Sequence, residues 1–197
     1  MRVLLTAAVT SLCLGCGASE EAEATPVDSM ECQEGDWSLQ NADSQIQWTG
    51  RKVTGSSHTG DFPEMSGCAQ VRDGQALTGL IIQLDMNSLT SDKEKLTKHL
   101  KNADFFDVTN HPTAGYQLSS LSNGKLSGEL EIRGTKQTVD APLELTWSEG
   151  SLRIHGSTQI NRTDWEVNHK STLVGAVGDA VIEDMVDLQI DLNFKQP

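Results

Sequence analysis

Near the C-terminus, Val186, Leu188, Ile190, Leu192 and Phe194 alternate without interruption with Asp187, Gln189, Asp191 and Asn193. Successive side chains of a strand point to opposite faces, so this period of two predicts an antiparallel strand with one face on a core and one in water. Leu126, Gly128, Leu130 and Ile132 repeat the pattern, as do Leu152, Ile154, Gly156, Thr158 and Ile160. Leu143, Leu145 and Trp147 show it more briefly, and the segments 44–53, 59–71, 77–87 and 113–121 are further candidates. Turn signals fall between them at Asp73 and Gly74, Asn123 and Gly124, Gly134 and Thr135, and Glu149 and Gly150. About eight short strands with polar outer faces predict an all-β sandwich or closed barrel.

One segment breaks the alternation. Residues 90–103 read TSDKEKLTKHLKNA, in which Leu96, His99, Leu100 and Ala103 share one helical face. Ser91 and Glu94 have the spacing of a capping box, which would start the helix there. Phe105 and Phe106 follow at once. An amphipathic helix ending in two aromatics, inserted in a β chain, is expected to plug or cap a barrel end. The Gly- and Ala-rich loop 168–180 is the other expected mouth element.

Composition adds compartment and partner class. The 197 residues carry 28 acidic and 15 basic side chains, a net charge of −13. Such a balance argues against nucleic acid, whose phosphates require a basic footprint. The chain has no apolar run of 18 or more residues, the length at which a membrane-spanning helix is expected. Residues 1–15 place Arg2 before an apolar stretch, the pattern of a bacterial secretory signal. The signal ends at Gly15 and Cys16, a junction that resembles the lipobox of bacterial lipoproteins, with Cys13 where that motif usually has Leu. Cys16 is therefore the expected lipidation site and membrane anchor. Residues 16–35 are acidic, small and free of Lys or Arg, as expected of a flexible tether, which leaves 36–197 as the folded domain. The expected location is the cell envelope, with the domain facing the periplasm or the cell surface. Beyond the leader region remain Cys32 and Cys68; an even number in an exported chain predicts a disulfide, the alternative being two thiols that do not meet.

Catalytic chemistry is not legible. His58, His99, His111, His155 and His169 show neither HExxH nor HxH spacing, so no metal site is expected. Asp85, Asp104, Asp107 and Asp164 lie near element ends, where capping and turn roles are the default. There is no GxSxG elbow, P-loop or GxGxxG fingerprint, and no cofactor or enzymatic activity is expected.

The stretch HLKNADFFDV at 99–108, followed by His111, Pro112, Thr113 and Ala114, resembles the signature of the bacterial YceI-like family. Further matches keep the family's order: SQIQW at 44–48 with HTGDF at 58–62, GELEIRGTK at 128–136 with Val139, INRTDW at 160–165, and VGD at 177–179. The resemblance spans about residues 36–195. Trp165 and Glu166 depart from it, because many relatives have an aromatic followed by Gly, and Cys32 and Cys68 are not family features.

The resemblance implies an eight-stranded, antiparallel, lipocalin-like barrel whose apolar interior holds a long polyisoprenoid chain. Eight strands leave a lumen that side chains can fill or one slim ligand can occupy. The residues expected to line it are Phe62, Phe105, Phe106, Tyr116, Leu118 and Leu130 in the first half of the domain, and Ile132, Leu145, Ile154, Leu188, Ile190 and Leu192 in the second. The expected function is non-covalent binding, storage or transport of a long-chain isoprenoid lipid, an isoprenoid quinone among the candidates, at the envelope. The competing readings are an interaction module with a packed barrel core and an enzyme acting on an isoprenoid or quinone.

Overall fold

The computed structural model describes residues 31–171, 175 and 181–197. The leader, Cys16 and the tether up to residue 30 lie outside them, as do residues 172–174 and 176–180 of the expected mouth loop. Among the described residues ten strands form one antiparallel sheet in the order β1-β4-β5-β6-β7-β8-β9-β10-β2-β3, and a further β1–β10 pairing closes the ring.

The ring has eight places because two of them are each filled by a broken strand. β1 (Trp37–Leu39) and β2 (Gln45–Lys52) pair with successive stretches of the long β10 (Ile182–Lys195). A 3₁₀ turn over Asn41–Asp43 separates them. β3 (Ser57–Asp61) and β4 (Met65–Arg72) are separated by Phe62, Pro63 and Glu64, so the expected single strand over 59–71 is in fact two. Proline lacks the N–H a ladder needs. Asn41 ties the two breaks together: its Nδ2 donates to the Pro63 carbonyl at 3.0 Å, and its Oδ1 accepts from the Met65 amide at 3.0 Å.

The remaining places are β5 (Ala76–Asp85), β6 (Thr113–Ser122), β7 (Lys125–Ile132), β8 (Thr135–Ser148) and β9 (Ser151–Asn161). Asn123 and Gly124, and Arg133 and Gly134, all have positive φ, as two-residue hairpins of the favoured twist require, and Asp73 and Gly74 have it in the three-residue loop between Arg72 and Ala76. The turn at Arg133 and Gly134 lies one residue before its expected place.

Strand direction sorts the connections into two ends. The β4–β5, β6–β7 and β8–β9 hairpins share one end, where Trp37, Ala69, Leu152 and Phe194 are buried. Trp37 meets Trp147 edge-on there, with ring centroids 6.1 Å apart. The Cys32–Cys68 disulfide pins the chain just ahead of β1 to β4, one residue from the Trp37–Ala69 pair. The expected bridge is thus present, and it staples the three-residue strand that completes the ring.

The β2–β3 turn, the β5–β6 insertion, the β7–β8 turn and the β9–β10 connection share the other end. The insertion carries α1 (Glu94–Leu100), which is shorter than the helix expected over 90–103. Its N-cap is Lys93, without a side-chain cap bond, and there is no capping box. Ser91 instead donates to the Lys93 carbonyl at 2.8 Å and meets the Thr97 hydroxyl at 3.0 Å, while Glu94 pairs with Lys98 at 2.7 Å. Thr97 has taken the partner that Glu94 was expected to hold. Ala103 lies beyond the helix and is exposed. Backbone bonds from Thr90 to Asp61 and from Asp92 to Thr59 seat the insertion on β3. Gly60 permits this close approach, since a Cβ there would stand 1.9 Å from the Thr90 carbonyl oxygen and 2.7 Å from the Trp48 ring.

Candidate functional site

Between the packed end and the α1 end the barrel encloses a cavity of about 370 Å³. That lies within the range of small-molecule sites, roughly 300–1,000 Å³. Period-two alternation places its wall. Leu188 and Ile190 from β10, Leu130 and Ile132 from β7, Tyr116 from β6 and Ile154 from β9 face inward, and Leu192 lies deeper on the same face of β10. Phe62 closes one side at the strand break, and Phe105 and Phe106 descend from the segment after α1. Ten of the twelve expected residues therefore line the cavity. Leu118 and Leu145 do not: Leu118 is buried and Leu145 half-buried, both in the packed core outside it. Alternation identifies the inward face of a strand but not the depth at which the lumen ends.

The sequence reading missed wall residues of two kinds. Trp48, Leu80, Ile82, Ala141 and Leu143 are apolar strand residues, and Trp165 stands in the 3₁₀ turn after β9. The others are basic. Arg51, Lys52, His58, His99, Arg162, His169 and Lys170 contribute to the lining, and no Asp or Glu does so among the described residues. In a chain of net charge −13, the cavity meets positive and polar nitrogen groups at the α1 end and hydrocarbon elsewhere.

Several of these groups are already engaged. Arg162 is 6 % exposed and donates to the carbonyls of Val167, Ile182 (3.1 Å) and Glu183 (3.1 Å), and to Asp184 Oδ1 at 3.0 Å. It fastens the turn after β9 to the start of β10. Burial lowers its pKa and Asp184 acts against that, so the pairing keeps the cation tolerable. Within the same motif Asn161 accepts from the Thr163 amide at 3.1 Å, and Trp165 Nε1 donates to the Leu130 carbonyl at 2.9 Å. Glu166 ends the motif in the left-handed region at φ +61°. Glycine adopts that conformation without strain, which is the physical sense of the Gly many relatives carry there. Arg51 pairs with Asp187, and His58 meets Asp92 at 2.9 Å.

Two polar groups at the wall have no partner among the described residues: the Tyr116 hydroxyl and His169 Nε2, both out of reach of solvent. Burial, and then Asp140, push the Tyr116 pKa up to about 12. Burial, followed by the neighbouring His99, holds the His169 imidazole below its ordinary value. No metal site was expected from spacing, yet the fold brings His99, Asp104 and His169 within reach of one another. Asp85 and Asp107 keep the expected turn roles, accepting from the Asn87 amide (2.8 Å) and from Asn110 Nδ2 (2.9 Å).

An eight-place antiparallel barrel, packed at one end and hollow toward a helix-capped mouth, is a lipocalin-like binding scaffold. The profile of the YceI-like domain matches residues 37–194, and the chain belongs to that family. Three solved structures have its fold. Burkholderia cenocepacia BcnA superposes with a TM-score of 0.67 at 18% identity, covering 79% of this chain and 98% of that one. A polyisoprenoid-binding domain from Saccharophagus degradans, implicated in plant cell wall breakdown, gives 0.67 at 18% identity, with 83% and 100% covered. The Campylobacter jejuni YceI protein gives 0.55 at 20% identity, with 70% and 84% covered. A UPF0312 protein of Vibrio cholerae is 30% identical over 59 residues, which is 30% of this chain and 31% of the relative. The match thus spans about a third of that curated relative's length.

Proposed function

We propose that this protein binds a long-chain polyisoprenoid or a related lipid non-covalently and stores or carries it at the bacterial cell envelope. The observation that carries the reading is the apolar cavity of about 370 Å³, enclosed by inward-facing aliphatic and aromatic side chains and bordered by basic groups at the α1 end. Apolar surface removed from water contributes roughly 25 cal/mol per Å², before the costs of association. A prenyl chain supplies such surface along its whole length, and most of the wall is hydrocarbon. The basic rim suits an oxygen-rich head group held at the mouth, an isoprenoid quinone or a prenyl phosphate among the candidates. The polyisoprenoid-binding domain of S. degradans shares the fold, which supports the same ligand class here. Binding of this kind needs no catalytic residue, and the role it supports is that of a carrier or buffer. Lipidation at Cys16 would hold the domain beside the membrane from which the lipid is drawn.

Organic extraction of the purified protein followed by mass spectrometry tests the proposal. The expected result is a prenyl lipid at close to one per chain. A clean extract, together with failure of the delipidated protein to take up a long-chain prenol or prenyl quinone, would exclude it.

A further inference from the structure

His99 stands in the last turn of α1 and Asp104 in the turn that follows, with His99 Nε2 3.3 Å from Asp104 Oδ2. His169 reaches the same place from the β9–β10 connection, and its ring centroid lies 4.9 Å from that of His99. Phe105 packs against both imidazoles, at 5.1 Å and 4.8 Å, and limits their freedom to turn away. One donor atom from each of the three residues lies within 4.8 Å of the others. Zinc–ligand bonds of about 2.0–2.2 Å place tetrahedral donors about 3.3 Å apart; the His99–Asp104 pair already has that spacing, and the His169 donor, within 4.8 Å, must close in on it. His169 Nε2 is shielded from solvent and unpartnered among the described residues, the condition of a donor group awaiting an acceptor or an ion.

We propose that His99, Asp104 and His169 form a site for a divalent transition-metal ion of the zinc class at the barrel mouth, with its open coordination position bordering the apolar cavity. Two imidazoles and a carboxylate are a donor set that zinc accepts, and three protein ligands leave one position free. Both imidazoles belong to the cavity wall, so the free position is on the side from which a bound molecule's oxygen can reach it. Of the two cations that bear on His169, Lys170 is exposed, and Arg162 is paired with Asp184 and donates to three carbonyls. Among the described residues the His58–Asp92 pair has no second imidazole grouped with it and serves as an internal control. Coordination of a lipid head group at the free position rests on the lipid reading; the metal site itself does not.

The test uses the protein with its Cys32–Cys68 disulfide intact, any free thiol alkylated, and no lipid added. Cobalt(II) is titrated and followed by its visible d–d absorption, then displaced by zinc(II), whose binding is measured by calorimetry. Saturation at one ion per chain is expected, with His58→Ala unaffected. His99→Ala and His169→Gln should each weaken zinc binding by more than about a hundredfold, beyond the loss an outer partner causes. Circular dichroism confirms that the variants are folded. A readout that needs no variant is the ring-proton NMR spectrum of the wild-type chain, where zinc should shift His99 and His169 and leave His58, His111 and His155 in place. Non-saturating binding, zinc affinity unchanged in the folded variants, or shifts spread over all five histidines would overturn the site, whatever the extraction experiment shows.

Discussion

Tyr116 lies on β6, opposite Ile82 on one side and Leu130 on the other, with its ring on the cavity wall. Gly128 makes room for it, since a Cβ there would stand 2.5 Å from the Tyr116 hydroxyl. That hydroxyl is shielded from solvent and has no partner among the described residues. With its pKa pushed up to about 12, it is protonated at neutral pH and remains a hydrogen-bond donor without an acceptor. A stranded buried polar group costs about 1–3 kcal/mol. Tyr116→Phe removes the group and keeps the ring, so the delipidated domain should become more stable by about 1–3 kcal/mol. With a urea m-value of about 2 kcal/mol/M, the unfolding midpoint should rise by about 0.5–1.5 M. Tryptophan fluorescence is a suitable probe, because Trp37, Trp48 and Trp165 are buried in the core. An unchanged or lowered midpoint in the delipidated protein would refute the reasoning, since it would mean that the hydroxyl is satisfied. In lipid-loaded protein the gain should shrink if an oxygen of the ligand reaches Tyr116, and persist if only hydrocarbon passes it.

Ile190→Trp should leave the domain folded while abolishing prenyl-lipid uptake, because the indole has cavity to enter; full binding by a stable variant would place the lipid elsewhere. Cys32→Ser should cost about 3–4 kcal/mol, as the chain-entropy estimate for a 36-residue separation gives, and an unchanged denaturation midpoint would deny the bridge that role. Glu166→Gly should stabilise the domain by about 0.5–1 kcal/mol by relieving a left-handed residue while keeping the carbonyl bond from Arg133, and a loss of stability would contradict it. Cys16→Ala should leave the protein in the aqueous phase of a detergent partition while the wild-type chain moves to the detergent; equal partitioning would end the lipid-anchor proposal.

The barrel was legible in the sequence because alternation along β7, β9 and β10 reports directly which side chains meet a core. The number of places came out as eight although the strands number ten. The segment 59–71 reads across Pro63, so β3 and β4 count as one, although the alternation loses its parity between Phe62 and Met65; β1 is three residues long and has no measurable period. The helix start was misread because Ser91 and Glu94 have the right spacing, yet Thr97 lies closer to Ser91 in space and takes its hydroxyl. His99 and His169 are 70 positions apart, and no local spacing rule could join them. Strand parity could have done so. In an antiparallel ring alternate connections fall at the same end, so the segments after β5 and after β9 must both lie at the mouth.

The two ends of the barrel carry different physical burdens. At the packed end, Trp37, Leu152 and Phe194 are buried, and the disulfide holds β1 where only a few ladder bonds close the ring. A core of this density loses stability when any large side chain is cut back. At the α1 end, the wall is interrupted by the β3–β4 break, and a short helix, two phenylalanines and a connection fastened by Arg162 replace continuous strand pairing. The helix and the two phenylalanines rest on side-chain contacts and a few backbone bonds, which cost less to open than the ladder. Stability therefore lies away from the cavity, and the residues that face it can be polar, unpartnered or strained without unfolding the domain. Tyr116, His169 and Glu166 are all of that kind, and all three belong to the cavity wall or to the segment that bounds its mouth.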